Sequence, residues 1–392
     1  MFNRTFLLSI ILFLCLFSAN IPANAADARD IDVILRKAKR ANGAVSNGDE
    51  RAISEYVSES LNEFVNSVES SEIISIRKEI AARSIDNKAS QYSLAFCSAI
   101  KNSAETVKKR IENVSDDSLK KQMAVNFVIL LAQIKSVELA DIGMSMFNHP
   151  NPAVKYWAFG SVANTEIAQQ LKSEVTGDEE LAAKIISALS KNAGKDTMPE
   201  ILDFMVDFAD EMDTPETDQL LVQIADLRIS DYADWSVEYE LMDASLLNSL
   251  VNTIENPAGS NPGTQEVARR FAQLYSYVFQ RFILGNDVLD ERSEYYLTFV
   301  LADVEQNSIS KLLRPQNNIK QLVASSTSVS LEKLSNEHDS LLGSESRTGR
   351  LGFELKFNYG TQDGKPRTAP KRLDAPKKND LSAEAADSKA QR

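Results

Sequence analysis

Residues 137–165 read VELADIGMSMFNHPNPAVKYWAFGSVANT. The first part is an amphipathic helix and NHPNP is a turn. Asn151 is then an N-cap whose side-chain oxygen can accept an otherwise unpaired first-turn amide, and Pro152 suits the first helical position. Val154, Ala158 and Val162 recur every four residues, so they share one helix face and turn it toward the preceding helix. The stretch is a helical hairpin.

Working outward, the apolar triplet recurs as Leu119, Met123, Phe127; Leu181, Ile185, Leu189; Leu221, Ala225, Ile229; and Val267, Phe271, Tyr275. Three residues before each first member stand Asp116, Asn151, Asp178, Asp218 and Thr264, all good capping types. Thr214 with Pro215 is a competing start for the fourth helix. Neighbouring triplets begin 27 to 46 residues apart, the length of one helical hairpin. The 137–165 unit resembles a HEAT repeat, with Asn151, Pro152, Val154, Lys155 and Ala158 standing where that family favours Asp, Pro, Val, Arg and Ala. The resemblance implies an all-α, irregular HEAT-like solenoid over residues 116–343.

On the N-terminal side, residues 26–115 also read as helices, since proline is absent from Ala26 to Phe147. Ile31–Ala41 is one helix, and Ile53, Val57, Leu61, Phe64, Val65 and Val68 form the stripe of the next. Residues 1–25 are a signal peptide. Arg4 supplies the positive end, Phe6–Phe17 the apolar run and Ala23-Asn24-Ala25 an A-x-A cleavage site. The mature chain is expected to begin at Ala26 and to be exported, periplasmic or extracellular. No later run approaches the roughly 18 apolar residues of a membrane span. Cys15 leaves with the signal, so Cys97 can form no intrachain disulfide and is expected to act as a small buried hydrophobe.

The 392 residues carry a net charge of -13, which disfavours nucleic acid and favours a basic protein partner. Two histidines offer little for catalysis or metal binding, and no cofactor is expected. His149 lies in the NHPNP turn, where one local hydrogen bond is its expected role, and His338 lies beside Glu337 and Asp339. From Asp196 to Asp243 there are 15 acids and one base, Arg228. Asp203, Asp207, Asp210 and Glu211 lie opposite the apolar stripe of a helix near Pro199–Glu211, so they are expected to face outward. DEMDTPETD, residues 210–218, lacks the glycine and spacing of a calcium loop. Tyr232, Trp235 and Tyr239 are spaced to share one helix face, as core or as an aromatic platform.

Beyond Gly343, expected to end a helix from Ile319 to Leu342, the pattern changes. Residues 344–360 read as extended chain, because Leu351, Phe353, Leu355, Phe357 and Tyr359 alternate with polar or small residues. Such a segment could cap the last helices or add to a partner's sheet, with Phe353 and Phe357 among the selecting side chains. Residues 361–392 are basic, have few large apolar side chains and read as a disordered tail able to dock on the acidic face.

These readings describe an exported, non-enzymatic scaffold or adaptor that binds a protein partner through an acidic, aromatic-containing surface. The alternatives are a helical hydrolase built on paired carboxylates, and a structural component of an envelope assembly.

Overall fold

Asn151 accepts the amides of Ala153 and Val154 at 2.9 and 3.3 Å, and Pro152 opens the helix Pro152–Val162. Val154, Ala158 and Val162 are fully buried. The hairpin that opens the sequence argument therefore forms as read, and the His149 ring accepts the Asn151 amide at 3.1 Å within its turn. The structure, a computed structural model, describes residues 25–41, 43–173, 177–257, 263–325 and 327–376. The expected signal segment through Asn24 and the tail beyond Pro376 lie outside the described residues.

The fold is all-α. The chain divides into two units, residues 1–123 and 124–392. In the first, α1 (Ala25–Arg40), α2 (Asn47–Asn66), α3 (Ser70–Ala82) and α4 (Gln91–Glu112) bury Ile53, Val57, Leu61 and Phe64 of the expected stripe. Val68 stays exposed because α2 ends before it. Ser46 and Asp49 form a reciprocal capping box at the start of α2, and Cys97 is buried in α4.

Helix α5 (Asp117–Ile134) carries the chain past the division. The second unit then holds α6 (Ala140–Ser145), α7 (Pro152–Val162), α8 (Thr165–Lys172), α9 (Glu179–Asn192), α10 (Pro199–Met212), α11 (Pro215–Ala233), α12 (Met242–Glu255), α13 (Thr264–Gly285), α14 (Glu291–Val304), α15 (Asn318–Val323), α16 (Ser328–Leu342) and α17 (Arg350–Glu354). Helices one and two apart along the chain pack together: α10 on α8, α11 and α12, and α13 on α11, α12 and α14. Asp116 and Asp178 cap as expected. Thr214 with Pro215 starts α11, leaving Asp218 inside the helix, where it accepts the Thr253 hydroxyl at 2.8 Å. Thr264 makes no side-chain cap.

Helix α13 is buried on nearly every side from Val267 to Phe282. It carries Gln273, Ser276, Gln280 and Arg281 into the interior. A polar group there needs a partner, since an unsatisfied one costs about 1–3 kcal/mol. Those partners build the site described below.

Three C-terminal expectations are corrected. The helix expected from Ile319 to Leu342 is two helices, because Thr327 and Ser330 form a capping box that starts α16 afresh. The expected strand at 351–359 is a single helical turn, α17, followed by irregular chain. The strands among the described residues are only two residues long, so most of this backbone satisfies itself locally: the Leu355 amide bonds to Leu351 O and the Phe357 amide to Gly352 O, while the Tyr359 amide reaches Arg367 O just past the second hairpin. The alternating side chains therefore part company. Leu351 and Phe357 are buried against the unit while Phe353 is 79% exposed. Finally, the described part of the expected tail, residues 361–376, forms an exposed hairpin over 361–366 and then lies against the unit. Two short antiparallel hairpins, Gly343–Ser344 with Arg347–Thr348 and Thr361–Gln362 with Lys365–Pro366, precede a stretch that buries Ala369, Pro370 and Leu373. Its composition cannot build a core, but it borrows one from α13.

Candidate functional site

Helix α10 lays Ile201, Leu202, Met205, Phe208 and Ala209 inward. Asp207 and Asp210 are exposed on the opposite side, as expected. Asp210 accepts the Asn252 side-chain amide at 3.0 Å, and the Glu211 carbonyl accepts Lys172 Nζ at 2.6 Å. Glu200, Asp203 and Asp207 make no ion pair among the described residues. Asp203 is sunk to the protein boundary. Burial first, then the charge of Asp207, pushes its carboxyl up to about 6, against the relief of a 3.4 Å hydrogen bond from the Tyr239 hydroxyl. Tyr156 of α7 lies against Phe204 with ring centroids 5.1 Å apart. Its phenol is raised by burial and by Glu200 and Asp203. The acids and two tyrosines thus form one surface.

The aromatic trio departs from the expected helix face. Helix α11 ends at Ala233, and both Trp235 and Tyr239 sit at positive φ, 59° and 54°, in the loop that follows. Each residue has its own duty. Tyr232 is fully buried and donates to Asp243 Oδ2 at 2.7 Å. Trp235 is 7% exposed, lies under the Arg281 guanidinium at 5.4 Å and donates its indole N–H to the Asp374 carbonyl at 2.9 Å. Only Tyr239 joins the acids. Phe353 and Phe357 lie elsewhere, at the C-terminal turn.

Sequence reasoning missed the buried polar network behind this surface. Arg228, the lone base of the acidic stretch, is 1% exposed and forks onto Asp243 at 2.8 and 2.9 Å. Burial works against its charge, but Asp243 more than offsets that and holds the guanidinium above its ordinary range. Arg281 reaches the carbonyls of Trp235 and Val237 and the buried Glu240, tying down the strained loop. Its signal was legible: Gln273, Ser276 and Gln280 continue the polar stripe of Arg269 into the long apolar run from Phe271 to Phe282, where Arg281 is a further charge.

A second network starts and ends on the C-terminal segment. Leu373 N–H donates to Gln280 Oε1 (2.7 Å), and Gln280 Nε2 donates to Ser276 Oγ (2.7 Å). Ser276 bonds His338 Nε2 and His338 Nδ1 bonds Asp339, each at 2.8 Å, while Arg372 meets the same Asp339 oxygen at 2.6 Å. Asp339, held ionised by its bonds to His338 and Arg372, can only accept, so Nδ1 is the donor and Nε2 of the neutral ring accepts the Ser276 hydroxyl. Burial lowers the His338 pKa, so the ring is neutral at pH 7. Ser276, His338 and Asp339 stand in the order of nucleophile, base and orienting acid. Ser276 is nonetheless fully buried, and its oxygen is engaged by Gln280, so the relay serves as a clamp on the segment above it.

Among the described residues no cluster of His, Cys, Asp and Glu is arranged to hold a metal ion, and no helix is long and apolar enough to cross a membrane. Compared with known proteins, the chain matches no family model and no curated protein. The HEAT likeness therefore rests on the hairpin at residues 137–165.

Proposed function

We propose that this chain is an exported, non-enzymatic adaptor that docks a basic segment of a protein partner on the surface of Glu200, Asp203, Asp207, Tyr156 and Tyr239. The observation that carries this reading is Asp203. Its carboxylate is partly withdrawn from water, crowded by like charge and given no cation by the described residues, so an incoming Lys or Arg would relieve repulsion that the free protein sustains. The two phenol rings beside it offer faces on which a guanidinium can stack. Charge complementarity of this kind contributes association rate and selectivity more than raw affinity.

The test is calorimetric titration of the mature chain with a lysine- and arginine-rich peptide at 0.05 and 0.5 M salt. The reading expects binding that weakens with salt as the screening length shrinks, and a further loss of about tenfold in Asp203→Asn/Asp207→Asn. Equal affinity for wild type and double variant would refute it.

A further inference from the structure

We propose that the channel along α13 is a binding site for an extended peptide of the form Ala-Pro-basic-basic-apolar-Asp, held in this structure by the chain's own residues 369–374. The channel reads backbone. Gln273 accepts the Lys371 amide at 2.8 Å and donates to the Lys371 carbonyl at 3.3 Å. Two turns further on along the same face, Gln280 accepts the Leu373 amide at 2.7 Å and donates to the same Lys371 carbonyl at 3.1 Å. Trp235 takes the Asp374 carbonyl at 2.9 Å. The two glutamines are 9% and 4% exposed, so their amides are committed to whatever main chain lies over them.

Side chains add selectivity. Ala369 and Leu373 are buried, four residues apart, and Arg372 reaches Asp339 at 2.6 Å. Lys371 points its charge to solvent. A small residue, a basic residue and an apolar residue are thereby selected at the first, fourth and fifth places. The occupant lacks helix or strand structure from Ala369 to Asp374, and bonds between its backbone and the side chains of Gln273, Gln280 and Trp235 hold it instead. Bonds of that kind can be remade by any extended segment of the same pattern.

The sequence repeats the pattern at once. APKRLD at 369–374 is followed by APKKND at 375–380, which keeps Ala, Pro, both bases and Asp and replaces the buried Leu373 with Asn379. The resident copy is thus the one with the apolar anchor, and its neighbour shows that the motif recurs as a unit. An incoming peptide with Leu at the fifth place would carry the full set of contacts.

The experiment uses the full-length chain and a fluorescein-labelled TAPKRLDAP peptide. Wild type should bind it weakly, because the tethered copy competes at high effective concentration. Leu373→Asp, which removes the resident anchor, should bind at least tenfold more tightly, and adding Gln280→Leu should abolish that gain. Adding Asp203→Asn/Asp207→Asn instead should leave it unchanged, which separates this site from the acidic face. No binding to a folded Leu373→Asp chain, or binding indifferent to Gln280, would overturn the proposal. Hydrogen exchange on wild type gives a readout free of any folding defect. The Lys371 and Leu373 amides should exchange at least a hundredfold faster than those of Tyr275 to Phe279. Equal protection would mean that the segment leaves only when the unit unfolds, and would overturn the proposal as well.

Discussion

Arg228 grips both carboxylate oxygens of Asp243, at 2.8 and 2.9 Å, with neither side chain open to solvent. Breaking such a pair from one side strands the other charge, at a cost of about 3–5 kcal/mol, whereas replacing both by apolar groups of similar volume is often neutral. Arg228→Met and Asp243→Leu should therefore each lower the stability of the second unit by that amount. The double variant should recover part of it, read by urea unfolding, the remainder being the buried Tyr232 hydroxyl left without Asp243. Additive losses would show that Arg228 and Asp243 do not depend on each other for their stability.

Asp203 sets a pH dependence whose sign can be worked out. Its folded pKa, about 6, lies above its ordinary value of 3.8, so the folded state binds more protons than the unfolded state in between. Stability from this residue is present below pH 4 and is lost as pH rises through about 6. Asp203→Asn should stabilise the protein at pH 7 by about 1 kcal/mol, a figure discounted for solvent screening, and leave it unchanged at pH 3.5. Thermal melts across pH 3.5–7.5 measure both. A destabilised variant at pH 7 would show that the Tyr239 bond to the carboxylate outweighs its burial and the repulsion of Asp207.

His338 acts with the opposite sign. Burial lowers its folded pKa below 6.5, opposed by Asp339 and aided by Arg372. The unfolded state therefore binds more protons just below pH 6.5, and the stability lost there on acidification should largely disappear in His338→Gln. Ser276→Ala should cost about 1–2 kcal/mol, since it deprives both Gln280 and His338 of a buried partner. The Ser276 hydroxyl, sealed and already bonded, should resist labelling by a fluorophosphonate in the native chain. Labelling lost in Ser276→Ala would instead mean that the clamp opens onto a reactive serine.

These predictions fall on residues of unequal legibility. Helices, caps and stripes depend on neighbours within a few positions, so Asn151, Pro152 and Val154 declared the hairpin and Pro199 to Glu211 declared the acidic face. Tyr239 was found as an aromatic, but its place beside Asp203 depends on a positive-φ loop that no helical spacing foretells. Arg228 announced itself only as an oddity of charge. The 15-residue separation to Asp243 is closed by that same loop. LGFELKFNY misled because its period of two was real while the described residues offer only two-residue strands for it to pair with. Residues 361–376 misled for a related reason: composition measures whether a segment can build a core, and this one uses the glutamines of α13, about 90 residues away.

The last prediction concerns Gly343, which ends α16 at φ 112°, a conformation that L side chains rarely adopt. A Cβ at this position would lie 2.1 Å from the Thr368 carbonyl oxygen, and backbone atoms of Gly349 and Arg347 close the remaining space. Thr368 is also tied to Ser344 O through its hydroxyl at 2.8 Å, so the two chains cannot separate locally without losing that bond. Gly343→Ala must therefore push the 368 backbone away, and the displacement falls one residue before Ala369, where the segment enters the α13 channel. The expected cost is about 2 kcal/mol or more, combining strain at positive φ with the collision. Trp235 is the built-in reporter: its indole N–H should lose the Asp374 carbonyl, shifting the indole fluorescence and amide signals of residues 371–374 while those of α10 stay in place. A variant with unaltered Trp235 signals and wild-type stability would show that the hairpin at 343–348 absorbs the added methyl without moving the segment.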